Sequence, residues 1–153
     1  VHEIHYRISG GREELFLSYE PSVSADLLEQ ELERVKPRDL KQCQTSVGPH
    51  RDDLLFSIAG VDIRKFGSQG QQRSAALALK LAQLEYVRQE IDEFPVLLLD
   101  DVMSELDDQR RCQLLKFIDG KVQTFITVND KALIPDLSGN AYFRIIEGRI
   151  AEG

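Results

Sequence analysis

The chain has 153 residues, 42% of them hydrophobic, enough for one core of ordinary size. Lys and Arg number 19 against 26 Asp and Glu, a formal net charge of −7, which argues against a freestanding nucleic-acid-binding module, since such modules draw affinity from basic side chains on phosphates. No apolar run approaches the ~20 residues that span a bilayer, the N-terminal VHEIHYRISGG has no signal-peptide core, and Cys43 and Cys112 make neither a CxxC pair nor a disulfide framework. The expectation is a cytoplasmic protein with no membrane contact, and a start at Val1 inside a strand-like pattern suggests that residues precede it.

Residues 3 to 9, EIHYRIS, alternate, with Ile4, Tyr6 and Ile8 on one face and His5 and Arg7 on the other. Gly10-Gly11 then turns into ELFLSYE, so residues 1–22 read as a β-hairpin. His2 and His5 flank Glu3 without the helical spacing of a metal pair and read as a solvated strand face. After Pro21, Ser22 or Ser24 can cap a helix through Leu27, Leu28, Leu32 and Val35 with an acidic outer face at Glu29, Glu31 and Glu33. Pro37 is expected to break it and Asp39 to start a shorter helix.

Thr45 to Asp53, TSVGPHRDD, crowds His50, Arg51, Asp52 and Asp53 behind a Gly48-Pro49 turn. It reads either as a charged loop before the strand Leu54 to Ile58 or as a loop that sets His50 and Arg51 near phosphate or a partner chain. Gly60 then turns the chain into a short strand, Val61 to Ile63.

Phe66 to Arg73, FGSQGQQR, precedes a long Ala- and Leu-rich helical segment. A glycine-containing turn at a helix start directs unpaired N–H groups and the positive end of the helix dipole outward, which makes an anion site. Ser68 adds a hydroxyl donor, and Gly70 allows phosphate to approach the backbone. The same residues also suit a plain glycine loop and N-cap for a core helix. Ala75, Ala76, Ala78 and Ala82 keep the helix thin for close packing.

Phe94 to Asp107, FPVLLLDDVMSELD, carries an unbroken apolar run, Val96 to Leu99, that ends in Asp100 and Asp101. Such a strand belongs inside a parallel α/β sheet covered by helices on both sides, and ligands of these sheets gather at the strands' carboxyl ends. The first acid suits magnesium, which takes one or two carboxylates beside waters and phosphates, and the second is placed to orient or deprotonate a water. A buried strand followed by an acidic turn fits this piece equally well. Ser104 or Asp107 can cap a helix through Leu114, Leu115, Phe117 and Ile118, closed by Gly120. Val122 to Val128 makes a strand parallel to the Val96 strand, Pro135 and Ser138-Gly139-Asn140 mark a loop, and Ala141 to Ile146 with Arg149 to Ala151 form a hairpin around Glu147-Gly148. No G-x-x-x-x-G-K-[ST] phosphate loop occurs in the chain.

SQGQQR at 68 to 73, VLLLDD at 96 to 101 and SELD at 104 to 107, in that order, resemble the signature motif, Walker B strand and D-loop of ABC-type ATPases, in the branch that holds SMC proteins and DNA-repair ATPases. GPHRDDL at 48 to 54, SQGQQRS at 68 to 74 and LLLDDVMSELD at 97 to 107 narrow the resemblance to the RecF type of bacterial recombination mediators. The resemblance implies an α/β fold, the C-terminal part of an ABC-type ATPase: a parallel sheet core flanked by helices, with part of a helical lobe and β-hairpins. Residues 1–22 and 93–153 would lie in the ATPase lobe and 23–92 in the helical, signature-motif lobe, with the P-loop portion elsewhere. It implies that Ser68, Gln69, Gly70 and Gln71 contact ATP held by a partner subunit, that Asp100 binds Mg²⁺, that Asp101 activates water, and that Ser104 and Asp107 cross a dimer interface. ATP-dependent homodimers, double-stranded and gapped DNA, and the partners RecR and RecO follow from the family alone, as does slow ATPase activity in the whole protein and none in this stretch by itself. Gln69 replaces the first signature glycine, Asp101 replaces the usual glutamate, and Thr127, Val128 and Asn129 stand where a switch histidine is expected. A non-catalytic interaction module recruiting a partner through residues 24–44, and a head of another SMC- or ABC-type ATPase, are the rival readings; the absence of a long heptad run before Gln44 counts against coiled-coil arms.

Overall fold

A 23-residue helix, α4 (Gln69–Ile91), organises the computed structural model, which describes residues 1–135 and 140–151. Its buried positions Ser74, Ala75, Leu77, Ala78, Leu81 and Leu84 follow the helical spacing of one apolar stripe. The alanines Ala75 and Ala78, almost wholly buried, let the short N-terminal helix α1 (His2–Ile8) lie close against it. Leu77 and Leu81 then join Ile8 of α1, Leu99 of strand β4 (Leu97–Asp100), and Leu114 and Phe117 of helix α5 (Asp108–Ile118) in the main core. Met103 and Leu106, from the 3-10 turn Val102–Glu105 and its exit, complete it.

β4 pairs in parallel with β5 (Thr124–Thr127), in register from Leu97↔Thr124 to Asp100↔Thr127, with α5 as the crossover. Leu97 and Leu99 pack on the core, whereas Val96, Leu98 and Phe125 are 52%, 71% and 55% exposed. Helices on both faces were the expectation for this strand; among the described residues one face is covered and the other is bare. The unbroken apolar run is therefore real, and its second face is uncovered among the described residues.

A separate antiparallel sheet has the order β1-β2-β3, from Leu15–Glu20, Asp53–Ile58 and Val61–Asp62. Leu15 of β1 meets Ile63 and Ala75 in a small second core that ties this sheet to α4. The Arg64 side chain, and next to it the Leu54 backbone N–H, hold the Asp53 carboxyl down to about 2. The closing hairpin, β6 (Arg144–Ile146) and β7 (Arg149–Ala151), turns through Glu147 and Gly148, both at positive φ, as a two-residue turn requires. Among the described residues no helix is long and apolar enough to cross a membrane.

Three expectations are corrected. Residues 2–8 are helical, not the first strand of a hairpin, and β1 pairs with β2 instead. Seven residues fit both periods, but the helical set Val1, Ile4, His5 and Ile8 meets the rest of the fold, and an i,i+4 ion pair, Glu3 to Arg7 at 2.5 Å, supports it. His5 is consequently buried, not solvated, and His2 is held through Nδ1 against the Leu15 carbonyl at 2.8 Å. Helix α2 (Leu28–Gln42) runs through Pro37 and forfeits one backbone bond; Asp39 does not start a second helix but accepts from the Ser46 backbone N–H at 2.9 Å. The strand at Val61 stops at Asp62, whose carboxylate caps a single turn, α3 (Ile63–Phe66), by accepting from the Arg64 backbone N–H. The loop expected around Ser138 and Gly139 lies outside the described residues, and Asn140 adjoins it.

His5 gives the fold a pH dependence. Burial pushes its imidazole below the ordinary value, with Glu13 opposing. The unfolded chain takes up the proton first, near pH ~6.5, so His5 contributes stability above that pH and the contribution is lost as pH falls toward its folded value. Urea midpoints are expected to drop between about pH 7 and 5, and more steeply than for His5→Leu; equal slopes for parent and variant would remove His5 from the account.

Candidate functional site

The chain reaches α4 through Phe66-Gly67-Ser68. A Cβ at Gly67 would lie 2.5 Å from the Ile63 carbonyl oxygen, so only glycine makes this exit from α3. Ser68 is the N-cap of α4: its Oγ accepts from the Gln71 backbone N–H at 3.2 Å, and Gln71 Oε1 accepts from the Ser68 backbone N–H at 2.9 Å. This reciprocal box leaves the N–H groups of Gln69 and Gly70 at the helix start without an intrahelical acceptor. Ser68 and Gln69 are exposed. The Ser68 hydroxyl, used here as an acceptor, keeps its own hydrogen for donation. The Gln71 side chain is committed: besides the box, its Nε2 donates to Glu13 Oε1 at 3.1 Å. A Cβ at Gly70 would meet nothing closer than Arg110 Nη1 at 3.5 Å, so packing does not demand glycine there, and close approach to the backbone remains its use.

At the carboxyl end of β4, the Thr127 hydroxyl donates to Asp100 Oδ1 at 2.6 Å and accepts from the Asp101 backbone N–H at 3.0 Å. One hydroxyl thus fixes both acids, and the parallel pairing of Asp100 with Thr127 is what places it. Asp100 and Asp101 are both exposed. Asp101 turns the chain with φ +53°, and its carbonyl accepts from Ser104 Oγ at 2.8 Å and, at 3.3 Å, from the Ser104 backbone N–H. Asp107 is the N-cap of α5: Oδ1 accepts from the Arg110 backbone N–H at 2.8 Å and Oδ2 from Arg110 Nη1 at 2.6 Å. The Arg110 backbone N–H and then its guanidinium hold the Asp107 carboxyl below the usual carboxylate range, against the opposing effect of burial.

Two groups of sequence-predicted residues therefore share neighbouring helix starts. Arg73 on α4 pairs with Glu105 at 3.5 Å, and Arg110 on α5 reaches Glu13 at 3.5 Å, the carboxylate that also holds Gln71. Ser68 and Gln71 are joined in this way to Asp107 through Glu13 and Arg110, while Asp100 and Asp101 stand at the end of β4, where Ser104 Oγ donates back to the Asp101 carbonyl. His50 and Arg51 are elsewhere: His50 Nε2 and Arg51 Nε both donate to the Thr45 carbonyl, at 3.1 and 3.0 Å, and shape their own loop. Among the described residues no three acidic, histidine or cysteine side chains converge as a self-sufficient metal site. Asp100 nevertheless fits a magnesium that takes one carboxylate and fills its sphere with water and phosphate oxygens, since Thr127 occupies only one of its two oxygens. Sequence reasoning missed Glu13, Arg110 and Thr127. Arg110 had a signal in its i,i+3 spacing from Asp107 and Thr127 in its place at the end of a parallel strand; Glu13 had none.

No protein-family model matches the chain. It is 50% identical over 152 residues, 98% of its length, to the DNA replication and repair protein RecF of Agathobacter rectalis, and 52% identical over 134 residues to RecF of Listeria welshimeri. These stretches are 42% and 36% of the two relatives, so the chain spans about two fifths of the length of the curated relatives it matches. Two solved structures of the recombination mediator protein RecF in the RecFOR pathway, one with ATP and one with ATPrS, share its fold. TM-scores are 0.70 and 0.71 at 41% and 40% identity, over 98% and 97% of this chain and 41% of each of theirs. Half-identical to RecF along nearly its whole length and built on the same ABC-type α/β fold, the chain belongs to the RecF family.

Proposed function

We propose that this chain supplies the trans-acting half of an ATP site in a RecF-type DNA-repair protein. ATP held by the P-loop of one subunit meets Ser68 and the backbone N–H groups of Gln69 and Gly70 of the next, so that nucleotide closes a head-to-tail homodimer. The observation that carries this reading is the start of α4, where two unpaired N–H groups, a hydroxyl hydrogen and the helix dipole converge on exposed surface beside the capped start of α5. The likeness to RecF–ATP structures supports it. Val96, Leu98 and Phe125, bare on one face of the β4–β5 sheet, support a larger folded unit in the whole protein, in which other residues cover them.

In that dimer Asp100, oriented by Thr127, would hold a magnesium ion whose charge offsets that of the phosphates. Asp101 would orient the attacking water and accept its proton. Its side chain is one methylene shorter than the glutamate usual in ABC-type ATPases, which suits slow hydrolysis, and the stretch described here would bind ATP weakly and turn over none alone. Gln71 would act through its shape-holding bonds to Ser68 and Glu13 and not by touching phosphate. The family's setting supplies the remainder of the proposal: duplex DNA near single-strand gaps as the nucleic acid, RecO and RecR as partners, and assisted loading of a recombinase as the outcome.

The trans reading is tested by the size of the full-length protein in solution with and without ATP and Mg²⁺. Ser68→Arg is expected to abolish the ATP-dependent dimer while leaving that subunit's own nucleotide pocket intact; dimers formed equally by parent and variant would reduce the α4 start to a helix cap. Thr127→Val, which keeps the shape and removes the hydroxyl, is expected to raise the Mg²⁺ concentration needed for the ATP response by roughly fivefold, about the ~1 kcal/mol of one hydrogen bond. Thr127→Ser should restore it, and an unchanged Mg²⁺ requirement in Thr127→Val would contradict the role given to Asp100.

A further inference from the structure

We propose that Glu13 is a positioning residue that couples the nucleotide-facing start of α4 to the dimer-facing start of α5, so that the two respond to ATP as one unit. The inference rests on the trans-ATP reading above. Glu13 divides its two oxygens between the motifs. Oε1 accepts from Gln71 Nε2 at 3.1 Å, and Gln71 in turn accepts from the Ser68 backbone at 2.9 Å; Oε2 accepts from Arg110 Nη2 at 3.5 Å, and Arg110 in turn donates to Asp107 at 2.6 Å. The path Ser68–Gln71–Glu13–Arg110–Asp107 is continuous, entering at the Ser68 backbone N–H and running on through side chains.

The surroundings make this more than a surface ion pair. The Glu13 and Arg110 side chains are each 20% exposed, and at that depth a shared carboxylate is screened far less than at the surface. His5, wholly buried on α1, closes the inner side with Nε2 3.9 Å from Glu13 Oε2, too far for a hydrogen bond, and neither of its ring nitrogens has a hydrogen-bond partner. Burial disfavours the charged imidazole, which leaves Arg110 as the countercharge of Glu13. Arg110 also lies against the nucleotide loop: the Cβ position at Gly70 is 3.5 Å from its Nη1. Without Glu13, Arg110 keeps Asp107 alone as a side-chain partner among the described residues, the Gln71 amide loses the Glu13 carboxylate, and the box that shapes Ser68 loses that outside support.

The test uses the full-length protein and the ATP concentration at which half of it is dimeric. Glu13→Ala and Arg110→Ala are each expected to raise that concentration about tenfold, and the double variant by no more than the larger single effect, since both break the Glu13–Arg110 connection and Arg110→Ala alone also removes the bond to Asp107. ATP binding by the dilute, unpaired protomer should not change, because the relay does not touch a subunit's own nucleotide pocket. Glu13→Gln keeps the side-chain volume and an acceptor for Gln71 but loses the ion pair, and should fall between parent and Glu13→Ala; if the alanine variant fails to fold, the glutamine variant decides alone. The inference is overturned if the Glu13 variants dimerise at the parental ATP concentration while Ser68→Arg does not, or if the double variant shows the product of the single effects, the mark of independent sites. Normal dimerisation of Ser68→Arg would instead overturn the trans-ATP reading and this inference with it.

Discussion

A helix cannot satisfy the first four of its own N–H groups, and the rest of this structure depends on where α4 leaves two of them. They open at the surface, beyond a box that fixes Ser68 and Gln71 by reciprocal bonds, while the same helix about two to three turns on, at Leu77 and Leu81, lies in the hydrophobic core. The start of α4 is therefore anchored through the buried stripe from Ser74 to Leu84, whereas the far end of the helix, at Tyr86 and Ile91, is exposed. Leu77 and Leu81 pack on Leu99 of β4 and Leu114 of α5, so a displacement of the helix start would be felt at both other motifs.

The Walker B end has its own constraint. A parallel pairing of four residues sets Thr127 beside Asp100, and a left-handed turn at Asp101, held by Ser104, bends the chain immediately into the 3-10 turn whose Met103 is fully buried. Asp tolerates positive φ better than most residues, and this is a local reason for a short acid at a position where ABC-type ATPases usually place glutamate. The geometry that orders the two acids and the geometry that anchors the following turn are the same few bonds.

How much of this was legible in the sequence follows from what each feature depends on. The α4 start, the Walker B strand and the α5 cap are local: Gly67-Ser68, the LLLDD run and Asp107 each act within a few residues, and they appear where the sequence puts them. Residues 2–8 were misread because alternation and helical spacing both fit a segment of seven, and only the contact with α4 decides between them. Pro37 was misread as a breaker because its cost is local whereas the helix it interrupts is held along fifteen residues. Glu13 was invisible, since nothing near it in sequence shows that Gln71 and Arg110 will meet on either side of its carboxylate.

In the proposed dimer each ATP site is shared between subunits, and mixing two kinds of disabled subunit reports on that sharing. Full-length protomers carrying Ser68→Arg are mixed with protomers disabled in their own nucleotide pocket, and retained ATP is counted. Neither variant alone is expected to retain nucleotide in a dimer, whereas the mixture should, because a mixed pair rebuilds one complete site from an intact pocket and an intact α4 start. A mixture that retains no more ATP than its separate components would contradict the account.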